Sequence, residues 1–269
     1  MLVRKKNGEI RFCLDFRKLN AVTVRPIFHL PDIKEIFDNL GQSNFFSSID
    51  ISSAFHQMPV SEMDKSKTAF ATTRGQYEFN RLPFGLCGAT ASFQRLMYEI
   101  LRDENWDKCL IYVDDVIIIG KNFDEHLQNL SLVLSKLLSA GIKISPSKCK
   151  LFKTKMSFLG HMISRNGIEA DPEKCKVIKE MKRPKTKEEV RSFLGLCNYY
   201  RRFILKYASI TAPIEDMCNA TKSDKSEVEW SHAALESIET LKTKLSSPPI
   251  LRYPRREGKF ILDTDAYFK

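Results

Sequence analysis

Two periods of apolar and polar residues run along this chain, and the switches between them mark out its elements. Residues 2–8 (LVRKKNG) and 9–16 (EIRFCLDF) read as short alternating strands around a basic turn at Asn7-Gly8. Asp32 caps a short helix to about Asn39, and Gly41 stops it. Phe45 to Ile51 is an apolar strand with Asp50 near its end, and Ser52 to Met58 is a turn or short helix. A small hairpin is expected around Arg74-Gly75, and Leu82-Pro83-Phe84-Gly85 then breaks the chain. From Ala89 to about Leu101, Phe93, Leu96, Met97 and Ile100 recur at helical spacing. Two apolar runs follow, Leu110-Ile111 and Val116 to Ile119, separated by Tyr112-Val113-Asp114-Asp115: strand, tight turn, strand. Phe123 to Leu138 is an amphipathic helix.

Strand, helix, hairpin, helix and a further extended piece predict a split βαβ plan, with two helices over one face of a small antiparallel sheet. If the strands are neighbours, Asp50 and Asp114-Asp115 meet at one sheet edge. Carboxylates held at the ends of buried strands call for a compensating charge, and a divalent cation is the usual one. From residue 171 the texture changes. Asp171-Pro172 starts a helix that Pro184 ends, and Thr186 starts a second, rich in basic and aromatic residues from Arg191 to Phe203. Trp230 to Leu245 is another helix, and Lys259 to Thr264 a strand leading to Asp265.

Composition narrows the classes. With 269 residues and 43% apolar content the chain builds a core. A net charge of +10 favours a polyanionic partner only weakly. Seven scattered cysteines form no CxxC pair, which gives no sign of a zinc knuckle or redox site and fits a reducing compartment. No signal-peptide core and no apolar stretch of membrane-spanning length occurs, so no membrane partner is expected.

Four stretches in order, 7–20 (NGEIRFCLDFRKLN), 45–58 (FFSSIDISSAFHQM), 82–97 (LPFGLCGATASFQRLM) and 112–115 (YVDD), resemble the reverse transcriptase of gypsy/Ty3-type long-terminal-repeat retrotransposons, part of a pol polyprotein. Residues 146–161, 167–174 and 193–204 extend the likeness. It implies an α+β right-hand polymerase: fingers and palm over 1–165, with fingers truncated at the N-terminus, a thumb-like helical region over 166–222, and a linker with the truncated start of an RNase H-like domain over 223–269. The implied reaction is RNA-directed DNA synthesis, adding dNTPs to a primer 3′-end on an RNA or DNA template. Two Mg²⁺ ions, or Mn²⁺, would be held by Asp50, Asp114 and Asp115.

The resemblance gives further residues roles. Lys148 would protonate the leaving pyrophosphate, Arg11 lie over triphosphate and base, and Lys5 and Lys6 reach the γ-phosphate. Phe55 would sit under the sugar and exclude a 2′-hydroxyl, Gln94 and Arg95 lie on the helix that backs the nucleotide, and the FLGH stretch at 158–161 grip the primer. On the residues alone, Phe55 reads as core and Arg11 as a solvated strand position. Template–primer duplex and dNTPs are the implied partners, in a homodimer or a pol polyprotein, in the cytoplasm, a virus-like particle or the nucleus. Two departures stand out. Cys87-Gly88-Ala89-Thr90 occupies the place where the family usually has Lys-Asn-Ala-Pro, and Tyr267 follows Asp265-Ala266 where Ser is usual. The acidic partners that would follow Asp265 are missing, so no RNase H activity is expected. The alternative reading is a catalytically inactive retrotransposon relic that only binds duplex.

Overall fold

The computed structural model describes residues 2–4, 8, 10–220, 223 and 226–254. The chain divides into two compact units, Met1–Thr154 and Lys155–Lys269. In the first, β1 (Leu2–Arg4) and β2 (Ile10–Phe12) form the expected hairpin, followed by α1 (Arg17–Val22) and α2 (Ile33–Asp38). Asp32 caps α2 by accepting from the Lys34 N–H. After β3 (Phe45–Asp50) come a 3₁₀ turn over Ala54–Gln57, α3 (Glu62–Lys65), and the small hairpin of β4 (Phe70–Thr72) and β5 (Gly75–Tyr77). Then follow α4 (Ala89–Leu101), β6 (Cys109–Tyr112), β7 (Asp115–Gly120), α5 (Phe123–Ser139) and β8 (Lys150–Lys153).

The sheet that matters has the order β6-β7-β3-β8, with every pair antiparallel. Its interior positions explain the apolar runs: Ile49, Ile111, Val116 and Ile118 pack with Phe93, Met97 and Leu101 of α4 and Val133 and Leu137 of α5. Each such buried side chain contributes roughly 1.5–3 kcal/mol against exposure. The expected plan of two helices on one small antiparallel sheet is therefore present. Gly120 ends β7 because a Cβ there would lie 2.6 Å from that of His126, so only glycine lets the first turn of α5 close onto the strand. His126 is buried, with Nε2 2.6 Å from the Ser47 hydroxyl, which also accepts from the Phe152 N–H at 3.0 Å. The β3–β8 ladder breaks register between Phe46 and Ser48, and Phe152 has φ +50°. Ser47 thus satisfies a backbone donor that the irregular ladder leaves over.

In the second unit β9 (Lys155–Phe158), β10 (His161–Ser164) and β11 (Gly167–Ala170) form an antiparallel meander. Four helices follow: α6 (Pro172–Glu180), α7 (Lys187–Tyr199), α8 (Tyr207–Ala220) and α9 (His232–Ser246). Asp171, Thr186 and Ser231 cap α6, α7 and α9, each accepting from a first-turn N–H. The sequence texture missed this meander. The boundary expected at 165/166 falls in the turn between β10 and β11, and the three strands belong with the helices. α9 packs on α6 and α8, so residues 232–246 are part of the helical unit and not a linker. The strand expected over 259–264, and Asp265, lie outside the described residues. Among the described residues no helix is long and apolar enough to cross a membrane.

Candidate active site

The β3–β7 register sets Asp50 directly opposite Asp115, and Tyr112 of β6 faces Asp115 from the other side. Val113 and Asp114 form the two-residue turn between β6 and β7. Val113 has φ +57°, a left-handed conformation unusual for a β-branched residue. Gln94 of α4 holds it there. This side chain is buried beneath the turn, where its Oε1 accepts from the Val113 N–H and its Nε2 donates to the Ile111 carbonyl at 3.4 Å. Strained backbone persists where its surroundings over-determine it, and an amide clamping both sides of the bend does that. Gln94 was expected to back the nucleotide; the structure turns it inward, as a support for the aspartate turn. Its helix neighbour Arg95 is exposed and pairs with Glu99 at 2.9 Å.

Desolvation and the negative charges of Asp114 and Asp50 push the Asp115 carboxyl above the usual carboxylate range. Lys148 brings positive charge to the same place, with Nζ 3.3 Å from Asp50 Oδ1. It sits on a 3₁₀ turn over Pro146–Lys148, which the Ser145 N–H ties to the Asp50 carbonyl at 2.8 Å. Gln57, given no role by the sequence reading, clips this segment to the end of β3. Its Nε2 donates to the Ser52 and Lys143 carbonyls, and its Oε1 accepts from the Lys143 N–H at 2.7 Å. Nothing in the pattern of apolar positions marks Gln57, because its role is to close backbone hydrogen bonds between segments far apart in sequence.

Among the described residues no three His, Cys, Asp or Glu side chains form a ready-made metal cage. The Lys148 ammonium pairs with one of the three aspartates, Asp50. The donor set nevertheless suits a hard divalent cation: all three ligands are carboxylates, and the charges of the other two bear on Asp115.

A cleft of about 330 Å³ opens beside Asp50, Asp114 and Lys148, and Phe55, Phe84 and Phe12 form its apolar side. Phe55, which the sequence alone assigned to core, is half-buried at this cleft. Lys5 and Lys6 lie outside the described residues, as does the side chain of Arg11, whose backbone sits on β2 opposite Val3. A larger cleft of about 600 Å³, lined by Leu19, Pro26, Met58 and Cys87, contains none of the three aspartates.

In the second unit the FLGH stretch is a hairpin tip. Leu159 and Gly160, at φ +43° and +65°, make the left-handed pair that matches strand twist. Tyr199 and Tyr200 donate their hydroxyls to the Leu159 and Gly160 carbonyls at 2.6 and 2.7 Å. His161 packs against Tyr199, Tyr200 and Phe203, so these aromatics serve the tip and the core together.

Paired carboxylates on a β-hairpin turn, backed by two helices, define a nucleotidyl-transfer type of palm. The profile of the reverse transcriptase (RNA-dependent DNA polymerase) family matches residues 3–163. The retrovirus-related Pol polyprotein from transposon 297 of Drosophila melanogaster is 41% identical over 260 residues, covering 96% of this chain and 24% of that protein. The Pol polyprotein from transposon gypsy of the same fly is 39% identical, covering 97% of this chain and 26% of that protein. A foamy viral protease–reverse transcriptase, solved in complex with double-stranded DNA, superposes with a TM-score of 0.87 at 26% identity, over 94% of this chain and 44% of that one. The chain belongs to the reverse transcriptase family, among the gypsy/Ty3-type retrotransposon Pol polyproteins. Its fold is the α+β right-hand polymerase fold of that family. It spans about a quarter of the length of the curated relatives it matches. Reverse transcriptases generally use divalent metal ions.

Proposed function

We propose that this chain is the polymerase region of a retrotransposon Pol polyprotein and performs RNA-directed DNA synthesis, joining dNTPs to a primer 3′-end on an RNA or DNA template. The observation that carries this reading is the strand register that puts Asp50 opposite Asp115, with Asp114 on the turn between. Phosphoryl transfer asks a protein mainly for placement and charge. Stiff strand ends supply the placement, and Gln94 and Gln57 fix the two backbone segments from which Asp114 and Lys148 project. Asp50, Asp114 and Asp115 would hold two Mg²⁺ ions, or Mn²⁺, whose positive charge would supply activation of the 3′-hydroxyl and stabilisation of the leaving pyrophosphate. Lys148, an ammonium on an exposed turn, has a proton to give that leaving group once Asp50 is otherwise engaged. Phe55 forms the apolar floor that excludes a 2′-hydroxyl. Arg11, Lys5 and Lys6 are assigned to the triphosphate on the family likeness alone, as are a homodimeric or polyprotein context and a location in cytoplasm, virus-like particle or nucleus.

Primer extension on a poly(rA)–oligo(dT) duplex with Mg²⁺, then Mn²⁺, tests this beside an Asp114→Ala/Asp115→Ala control. Extension is expected in the parent and lost by about a thousandfold or more in the control, on the scale of removing charge stabilisation from a transition state. A parent that binds the duplex and extends nothing would make the chain a binding relic.

A further inference from the structure

Phe55 does not stand in its cleft unsupported. Its ring lies edge-on to Phe84, with centroids 5.5 Å apart and planes at 64°, and edge-on to Phe93 at 5.9 Å and 79°. Phe93 is fully buried in α4 and cannot give way. Phe84 is only partly buried, and the His56 ring meets it at 5.0 Å. The loop carrying Phe84 is stiff for identifiable reasons. Pro83, buried just before it, has a fixed φ. Gly85, just after it, takes φ +100°, which a side-chain-bearing residue rarely adopts. Across this bend Asn20 of α1 donates its Nδ2 to the Gly85 carbonyl at 2.8 Å and accepts the Cys87 N–H on Oδ1 at 2.9 Å. One amide therefore anchors the stretch that leads out of Phe84 at two points.

We infer that Phe84, held by Asn20, is a positioning residue for sugar selection: it stops the Phe55 ring from receding when a ribonucleotide presses on it. This rests on the polymerase reading above. A ring fixed on two sides cannot recede from a 2′-hydroxyl, whereas a ring fixed on one side can tilt. Offset and edge-on aromatic packing has a preferred geometry that an aliphatic replacement does not reproduce. Selectivity for the deoxyribonucleotide is thus set two layers deep, by a side chain that acts through another.

Single-nucleotide extension opposite a template G, measured with dCTP and with CTP on the full chain, tests it. Phe84→Leu is expected to lower the dCTP-over-CTP ratio of kcat/KM by about tenfold, the scale of one mis-sized contact in a tight pocket. Phe84→Tyr keeps the ring and is expected to keep the ratio. Asn20→Ala, which removes the two hydrogen bonds to the loop backbone, is expected to move the ratio the same way by less. In a Phe55→Ala background, Phe84→Leu is expected to change nothing further, because the two act as one unit. A merely structural role would slow both nucleotides alike. If Phe84→Leu fails to fold, as read from its thermal melt, Phe84→Met carries the same expectation. A Phe84→Leu enzyme that extends with dCTP and keeps the parental ratio overturns the inference and leaves the polymerase reading standing. A parent that extends with neither nucleotide overturns both.

Discussion

Two of the two-residue hairpin turns among the described residues are built for opposite ends. Val113-Asp114 joins β6 to β7, and Leu159-Gly160 joins β9 to β10. Each forces a non-glycine residue into the left-handed region, and each is held by side chains from a following helix or the helix before it. At the first turn the support comes from beneath, through the buried amide of Gln94, and the carboxylates beside it remain exposed. At the second, two tyrosine hydroxyls take up the carbonyls of the turn itself, and the neighbouring His161 is enclosed in aromatic rings. The first turn offers charge that repels itself. The second offers a fixed shape with its polar backbone already spoken for. The first turn has its strain compensated from behind and leaves its carboxylates free to face solvent, whereas the second is clamped through its own carbonyls.

The hardest blow to that contrast is Gln94→Leu. It leaves the Val113 N–H buried without an acceptor, a loss of about 2 kcal/mol in stability by urea unfolding. It also releases Asp114 from its place, and a displacement near 1 Å at a reacting centre costs about a hundredfold in extension rate. Gln94→Glu retains an acceptor for Val113 and is expected to recover part of the stability. If Gln94→Leu unfolds normally and extends normally, the support from beneath is not what orders the turn.

Gln94 also shows where sequence reading stopped. Periodicity placed α4, α5, β3 and the β6–β7 hairpin within a residue or two, because burial on one face leaves a repeat in the sequence. The three aspartates and the family were legible for a related reason: they sit at element ends fixed by those repeats. Helical spacing does not say whether a glutamine beside Phe93 points to solvent or inward to a backbone N–H nineteen residues later in sequence. The β9–β11 meander was missed because its strands are only four residues each and carry no long apolar run. Gln57, Ser47 and Asn20 were silent because hydrogen bonds that close irregular backbone leave no period.

A smaller effect is expected at the second turn. Tyr199→Phe removes one of two partners of the Leu159 carbonyl, which keeps His161 Nδ1 at 2.9 Å, and Tyr200→Phe removes the hydroxyl donor to the Gly160 carbonyl, at about 1 kcal/mol or less apiece. Extension at saturating template is expected to stay within about twofold of the parent, since an unperturbed fold leaves the reacting centre untouched. A hundredfold loss in rate from either change would erase the distinction between the two turns.

Acid titrates a histidine in each unit. Burial lowers the pKa of His126, partly opposed by the Ile119 carbonyl and Glu125, and burial lowers that of His161, partly opposed by the Leu159 carbonyl. Both are therefore neutral in the fold at pH values where the unfolded chain begins to protonate them. Stability is full above the ordinary histidine range and falls as pH drops through about 6.5. The fall continues until the lowered folded value is reached, at up to about 1.4 kcal/mol per pH unit for each group. His126→Phe loses the Ser47 partner, so its stability is lower throughout, but its pH slope between 7 and 5 is expected to be shallower. An unchanged slope in that variant and in His161→Phe would show that neither ring titrates on unfolding.

The smallest change goes to the charge itself. Asp115 has a carboxyl pushed upward by desolvation and by Asp114 and Asp50, so its ionised form opposes folding at neutral pH. The sign is opposite to that of a salt-bridged carboxylate: this group favours the fold when protonated, below its unfolded pKa, and that contribution is lost as pH rises through the raised folded value. Asp115→Asn is therefore expected to melt slightly higher than the parent at pH 7 without divalent metal, with the gain fading as the pH is lowered. The same change removes a carboxylate proposed to hold the cation, so Mg²⁺ is expected to narrow or reverse the difference by stabilising the parent more than the variant. No comparable gain is available at Leu159-Gly160, where no charge is stored. A parent melting above Asp115→Asn at pH 7 without metal would mean that Lys148 already neutralises the whole cluster, and the contrast between the turns would then be one of geometry only.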